Sequence, residues 1–273
     1  MTAEEHIRAG DLDAAMGVLR DAIRNDSADP KLRVFLFQLL CINGDWEKAL
    51  TQLNLVGDIS PDSMLLAQIF RPVIQCEALR AEVFAGKRSP LIFGEPQEWI
   101  GWLIHANSLL GTGNLKEARE LMDKALETAP AVPGSINEHE FEWLADADSR
   151  MGPVLEAVID GKYYWVPFNQ VARMNISRPS DLRDLVWISA TFTWVNGGES
   201  TGLIPIRYPG SEKSLDSGIR LSRKTDWEDI GEGFFLGKGQ RLFATDAGEY
   251  PLLETLVVKF NHPTTTAGPE TVV

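Results

Sequence analysis

An α+β fold, helical in the first half of the chain and mainly antiparallel β in the second, is predicted by three observations. The first is a repeat. Gly10-Asp11-Leu12-Asp13-Ala14-Ala15, Gly44-Asp45-Trp46-Glu47-Lys48-Ala49 and Gly113-Asn114-Leu115-Lys116-Glu117-Ala118 share one pattern, the first two 34 residues apart and the last two 69. The second is the change in hydrophobic period after residue 150, where alternating β-rich runs replace helical spacing. The third is the Pro- and Gly-rich stretch Ala129-Pro130-Ala131-Val132-Pro133-Gly134-Ser135 between the two regimes.

A 34-residue period of Gly, a polar cap, a large apolar residue and Ala marks a tetratricopeptide-type helix–turn–helix repeat. The Gly ends one helix in the left-handed conformation, and Asp11, Asp45 or Asn114 caps the next. Residues 4–25 read as a helix pair split at Gly10, with Ala14, Ala15, Val18, Leu19, Ala22 and Ile23 at helical spacing. Asp29-Pro30 opens a helix with Leu32, Phe35, Leu36, Leu39 and Leu40 on its apolar face, and Trp46, Ala49, Leu50 and Leu53 mark its partner. Residues 60–85 depart from the repeat as one long helical pattern, in which Pro72 predicts a kink or break. A third pair follows, with Trp99, Trp102, Leu103, Ala106 and Leu109 on one helix and Leu115, Ala118, Leu121, Met122 and Ala125 on the next. In the second half, Asp160-Gly161 sits between Val158-Ile159 and Lys162-Tyr163, as in a two-residue hairpin turn. Further strands are expected over 185–195, 203–208, 240–245 and 252–260. The resulting division is a helical repeat domain over 1–130, a linker over 131–145, a mainly β domain over 146–262 and a disordered tail over 263–273.

The totals narrow the function classes. The 273 residues carry a formal net charge of −13, which repels nucleic-acid phosphates and anionic lipid. Neither nucleic acid nor membrane is therefore an expected partner. An acidic N-terminus without an apolar run is no signal peptide, and no run of about 18 apolar residues occurs. Cys41 and Cys76 lie in apolar helical patterns, as buried thiols in a reducing compartment would. These features predict a cytoplasmic protein.

Chemistry-bearing motifs are scarce. His6, His105, His139 and His262 stand apart from one another and from cysteine, and Trp143 occupies the place where a His139-Glu140 zinc helix needs its second His. No metal site and no cofactor are expected. Glycines 231, 233, 237 and 239 fit neither the phosphate-loop nor the dinucleotide spacing. Asp146 and Asp148, with Arg150, Asp226 and Arg241, form the one constellation able to serve a hydrolase or a small ligand. The blander reading is a capped turn with a neighbouring ion pair. Repeats of this kind stack into surfaces that bind other proteins, and aromatics with arginine dominate such contacts. On those grounds Phe70, Arg71, Trp99, Trp102, Tyr163 and Trp165 are the candidate partner-binding residues. A repeat that clamps a peptide C-terminal carboxylate is a weaker reading, because Arg8, Arg20, Arg24, Lys31, Arg33 and Lys48 are irregularly placed.

Several blocks are more specific. They include Arg71-Pro72-Val73-Ile74, Pro90-Leu91-Ile92-Phe93-Gly94-Glu95-Pro96 and Asp146-Ala147-Asp148-Ser149-Arg150-Met151-Gly152-Pro153. Others are Gly161-Lys162-Tyr163-Tyr164-Trp165-Val166-Pro167-Phe168, Arg207-Tyr208-Pro209-Gly210-Ser211 and Gly237-Lys238-Gly239-Gln240-Arg241. Together they resemble the ImpE (TagJ, SciE-type) family of type VI secretion accessory proteins over roughly residues 60–255. The resemblance implies a cytoplasmic adaptor with no catalytic residues to carry over. It implies binding to the N-terminal helix of the small contractile-sheath subunit (TssB/VipA type) and a link to sheath recycling by a ClpV-type AAA+ ATPase. An acidic repeat protein suits an amphipathic helix as its ligand.

Overall fold

A computed structural model describes residues 1–59 and 61–262. The expected tail over 263–273 lies outside the described residues. The chain begins with two helix pairs, α1 (Ala3–Ala9) with α2 (Leu12–Asn25) and α3 (Pro30–Ile42) with α4 (Trp46–Ile59). Asp11 caps α2 through the Ala14 N–H, and Asp29 caps α3, whose first residue is Pro30. The long α5 (Pro61–Phe84) follows. It continues through Pro72, so the break that the sequence allowed there does not occur. Packing explains the difference. Phe70, Val73 and Ile74 are buried on either side of Pro72, and the Pro72 ring lies close against Gly161 of the β half. A short strand β1 (Leu91–Ile92) leads to the third pair, α6 (Glu98–Gly111) and α7 (Leu115–Thr128).

The second half contributes β2 (Gly134–Ile136), β3 (His139–Phe141), β4 (Leu144–Asp146), β5 (Val154–Ile159), β6 (Lys162–Pro167), β7 (Val171–Ile176), β8 (Trp187–Trp194) and β9 (Glu199–Pro205). A single-turn helix α8 (Ser217–Arg220) precedes β10 (Thr225–Gly231), β11 (Phe234–Gly239), β12 (Leu242–Thr245), β13 (Glu249–Pro251) and β14 (Val257–Phe260). Nine strands form one sheet in the order β1-β6-β5-β9-β8-β7-β14-β2-β3, antiparallel except for the β1–β6 pair. A three-stranded sheet β13-β12-β4 and a two-stranded ribbon β10-β11 complete the half. Residues 134–141 are not linker: β2 pairs with β14, and β3 pairs with β2 as the last strand at that end of the large sheet. Proline and glycine mark the entry to a strand there as well as they mark a loop. The 252–260 segment is a strand only from Val257, because Leu252–Glu254 forms a 3₁₀ turn first.

The large sheet is covered on both faces. Along β5 every residue is buried. Val154 and Val158 join the core made by the helices, while Leu155, Ala157 and Ile159 join a second core on the other face. Tyr163 and Trp165 of β6 face the helices, and Tyr164 faces Phe93 on the opposite side. Asp160 and Gly161 turn the β5–β6 hairpin with φ of 49° and 71°, as the sequence predicts.

The repeat turns are the docking points between the halves. The last carbonyls of a helix have no partner within it and favour a cation. Arg207 donates to the Ile42 and Cys41 carbonyls at 2.6 and 3.0 Å, closing the end of α3. Arg223 does the same for α1, donating to the Ile7 and Arg8 carbonyls at 2.8 and 3.0 Å. Arg220 reaches the Asn43 side chain at 3.1 Å. Gly44 has φ of 72°, and a Cβ there would stand 2.4 Å from Cγ of Glu212. Gly113 has φ of 80° with nothing within 4 Å. Gly44→Ala therefore loses both backbone conformation and the close approach, whereas Gly113→Ala loses only the first, a cost of about 1 kcal/mol. In urea unfolding, Gly44→Ala should show the clearly larger loss of the two. Equal losses would mean that the α3–α4 turn carries no docking load.

Candidate functional site: a buried ion network between the halves

Four arginines and four carboxylates meet where α5 lies on the sheet. Glu156 is at the centre. Its position in the middle of β5, between Val154 and Val158, points it at the helices, and it is fully buried. Arg80 donates to its two carboxylate oxygens at 2.6 and 3.0 Å through Nε and Nη2. The same Nη2 donates to the Arg207 carbonyl at 2.6 Å. Arg241 pairs with Glu156 from the other side and with Asp146, while its Nε donates to the Pro205 carbonyl at 3.1 Å. The Tyr163 hydroxyl donates to Glu156 at 2.6 Å and accepts from the Trp165 indole at 2.9 Å. Glu77, one turn before Arg80 on α5, accepts from the Trp187 indole at 2.7 Å and lies 3.4 Å from the Arg80 guanidinium.

Asp148 and Arg150 extend the cluster. Arg150 donates to both Asp148 oxygens at 2.8 and 2.6 Å, and Asp148 also accepts from the Gly237 N–H at 2.8 Å. Asp146 accepts from the Asp148 N–H at 2.9 Å, which fixes the turn between them. Aromatic rings cover the cations: Phe84 lies 4.7 Å from the Arg150 guanidinium, and Tyr208 lies 5.1 Å from that of Arg241.

Burial by itself would push the Glu156 carboxyl up, but Arg80 and Arg241 outweigh it and hold it at about 2. Burial pushes Asp146 up to about 6, with Arg241 opposing and Asp148 adding to the rise. Burial pulls the Arg207 guanidinium down to about 10, because it caps carbonyls rather than a carboxylate. Burial also drives the Tyr163 phenol well above its ordinary range, and Glu156 adds to that. Each carboxylate in the cluster accepts from an arginine or a backbone N–H, and Glu77 from the Trp187 indole as well.

The candidate residues read from the sequence fall into distinct groups. Asp146, Asp148, Arg150 and Arg241 do converge, and Arg80, Glu77, Glu156 and Tyr163 complete them. Asp226 does not. It is exposed on the β10–β11 ribbon and accepts from the N–H of Trp227. Phe70, Trp99, Tyr163 and Trp165 are buried and offer no surface to a partner. Phe70 packs on Phe37 and Trp187. The Trp99 indole donates to Gln97. Trp102 is half-buried beneath Lys124, whose ammonium is 3.7 Å from the ring, and Arg71 is half-buried with its Nε on Asn54 at 2.7 Å. Two aromatics three residues apart on a helix, Trp99 and Trp102, read equally well as core or contact surface. Only the position of the β half decides between them. Glu156 was missed because a carboxylate inside an apolar strand pattern reads as an outward residue. Its signal was that every neighbour on both sides is apolar.

The fold and the network define a class: a helical-repeat protein whose repeats are clamped to a β domain through a buried, internally neutralised ion cluster. Residues 138–259 match the ImpE protein family, and residues 6–69 match the tetratricopeptide repeat family. The chain is 46% identical over 260 residues to the type VI secretion system accessory component TagJ of Pseudomonas aeruginosa, covering 95% of this chain and 91% of that one. The crystal structure of protein VPA1032 from Vibrio parahaemolyticus has the same fold, with a TM-score of 0.85 at 24% identity over 96% of this chain and 98% of that one. The chain belongs to the ImpE/TagJ family, and its role is that of a type VI secretion accessory protein.

Two consequences of the network can be measured. Removing one partner of a buried pair leaves the other uncompensated, at a cost of about 3–5 kcal/mol, so Glu156→Gln should lower stability by that order. Glu156 has a folded value of about 2 against an ordinary 4.5. Its contribution is complete above pH 4.5 and is lost as pH falls toward 2. Asp146 has a folded value of about 6 against an ordinary 3.8, so its ionisation costs stability as pH rises between those values. Urea midpoints against pH should therefore flatten on the acid limb in Glu156→Gln and between pH 4 and 6 in Asp146→Asn. Unchanged slopes in both variants would refute the assignment.

Proposed function

We propose that this chain is a non-catalytic cytoplasmic adaptor of a type VI secretion apparatus, which binds the N-terminal helix of the small sheath subunit and assists sheath recycling by a ClpV-type ATPase. The observation that carries the reading is the 46% identity to TagJ across 95% of the chain. The saturated ion cluster supports the non-catalytic part, because its carboxylates are committed to arginines. No helix among the described residues is long and apolar enough to cross a membrane. The net charge of −13 suits a basic or amphipathic peptide better than nucleic acid.

Burying three or four large apolar side chains of an incoming helix contributes about 1.5–3 kcal/mol each before the cost of ordering the peptide. That arithmetic predicts reversible binding in the micromolar range. Titration calorimetry of the full chain against a synthetic N-terminal helix of the cognate small sheath subunit should give saturable, one-to-one heat. Absence of binding at high micromolar peptide would overturn the proposal.

A further inference from the structure

Stacked helical repeats take their ligands on the face that successive helices share. The face between α3 and α5 is already filled, by a short piece of the β half. Leu182–Leu185, in the connection between β7 and β8, forms a single 3₁₀ turn there. Leu182 and Leu185, three residues apart, pack against the helical core. The Leu182 N–H donates to Oε1 of buried Gln38 on α3 at 3.1 Å. The Arg183 guanidinium lies 5.3 Å from the centre of the Phe70 ring on α5. Two leucines at that spacing, a cation between them and a backbone donor on a side-chain amide are the contacts of a peptide bound in a helical groove.

The turn does not fill its place closely. None of its four residues is buried, and a hollow lies on each side of it. One, of about 550 Å³, is lined by Ser180, Asp181 and Leu182 with Pro30, Val34 and Phe35 of α3. The other, of about 730 Å³, is lined by Arg183 and Asp184 with Ile69 and Pro72 of α5. The turn also bonds largely to itself. The Asp184 carboxylate accepts from the N–H groups of Ser180 and Asp181 at 2.8 and 2.9 Å, and Arg183 pairs with Asp181 at 2.5 Å. Residues 177–180, where the chain enters the turn, are exposed. At its exit the Ser222 hydroxyl donates to the Leu185 carbonyl at 2.7 Å, and Val186 is buried. A segment with self-contained bonds, few buried contacts and one exposed end opens at a lower free energy than the core around it.

We propose that residues 180–185 are a cis ligand of the repeats, displaced from the α3–α5 face by a partner segment of the same chemistry: two leucines three residues apart with an arginine after the first. Once the turn leaves, the two hollows join into one groove along α3 and α5, floored by Val34, Phe35, Ile69 and Phe70. The tethered turn competes at an effective concentration of about millimolar. It therefore sets a threshold, passed only by a segment that fills the flanking hollows as well as the place of the turn. The inference deepens the adaptor reading by naming the surface, and it rests on that reading only for the existence of a partner.

The test uses the full chain and a capped synthetic peptide with the sequence of residues 178–186. Two variants loosen the turn: Leu182→Ala with Leu185→Ala, and Asp184→Ala, which opens the turn from within and leaves both leucines in place. Calorimetry should show the peptide binding each variant at least tenfold more tightly than the unaltered chain, with unchanged circular dichroism. A peptide carrying alanine at both leucines should bind none of them, and Val34→Glu should abolish binding in the loosened chains. In native-state hydrogen exchange of the unaltered chain, the Leu182 amide should open with little dependence on urea while β8 amides stay protected. Peptide affinity equal in all chains, no binding to either loosened variant at millimolar peptide, or a Leu182 amide that opens only with β8 would each overturn the proposal. The cognate sheath helix separates it from the adaptor reading. A chain that passes these tests but fails to bind that helix keeps the groove and loses the sheath partner. A chain that binds the helix but fails these tests keeps the partner and loses the cis ligand.

Discussion

Glu156 is the charge on which the arrangement of the two halves depends. A carboxylate in the middle of an all-buried strand is affordable only if donors surround it, and those donors come from three places. Arg80 arrives from the helical half, Arg241 from β-half chain more than 80 residues later, and the Tyr163 hydroxyl from the adjacent strand. The geometry of one carboxylate therefore fixes the position of α5 along the sheet. A buried ion pair of this kind adds little net stability over a well-packed apolar contact, because desolvation offsets the attraction. What it sets here is register. A shift of α5 by one residue would take Arg80 away from both Glu156 and the Arg207 carbonyl, leaving Glu156 with Arg241 and Tyr163 alone.

The arginine caps act in the same direction. Arg207 and Arg223 from the β half close the ends of α3 and α1, and Arg207 is itself held by Arg80 through its carbonyl. The signature glycines of the repeat thus serve a purpose beyond ending a helix. At Gly10 and Gly44 the backbone is bare enough for Ser217 and Glu212 to approach, while at Gly113 nothing approaches. The first two turns meet the β half at their glycines, whereas Gly113 of the third faces open space.

Local signals were legible. The repeat period, the cap at Asp11 and the Asp160-Gly161 hairpin each rest on interactions within a few residues and have the expected form, whereas Asn114 stands at the start of α7 without a side-chain cap bond. What failed depends on distant chain. The stretch at 131–145 was read as linker because Pro130, Pro133 and Gly134 cluster where it begins, yet β14 arrives to pair with β2 from more than 100 residues away. Pro72 does not break α5, which continues through it with the Pro72 ring against Gly161 of the β half. Tyr163 and Trp165 looked like contact residues because strand alternation alone leaves one face of β6 uncovered, and the helices cover that face. At the candidate site, Asp146, Asp148, Arg150 and Arg241 were legible as types. Their meaning was reversed by Glu156 and Arg80, which turn apparent catalytic groups into a neutral cluster.

The central claim is that the repeats and the β domain form one cooperative unit. Native-state hydrogen exchange of the full chain across a urea series tests it most directly. The prediction is a shared opening free energy for core amides of α3, α5 and β5, rising and falling together with denaturant. Amides of α3 that open at substantially lower free energy than those of β5, with β5 still protected, would show two independently folding halves and contradict the account.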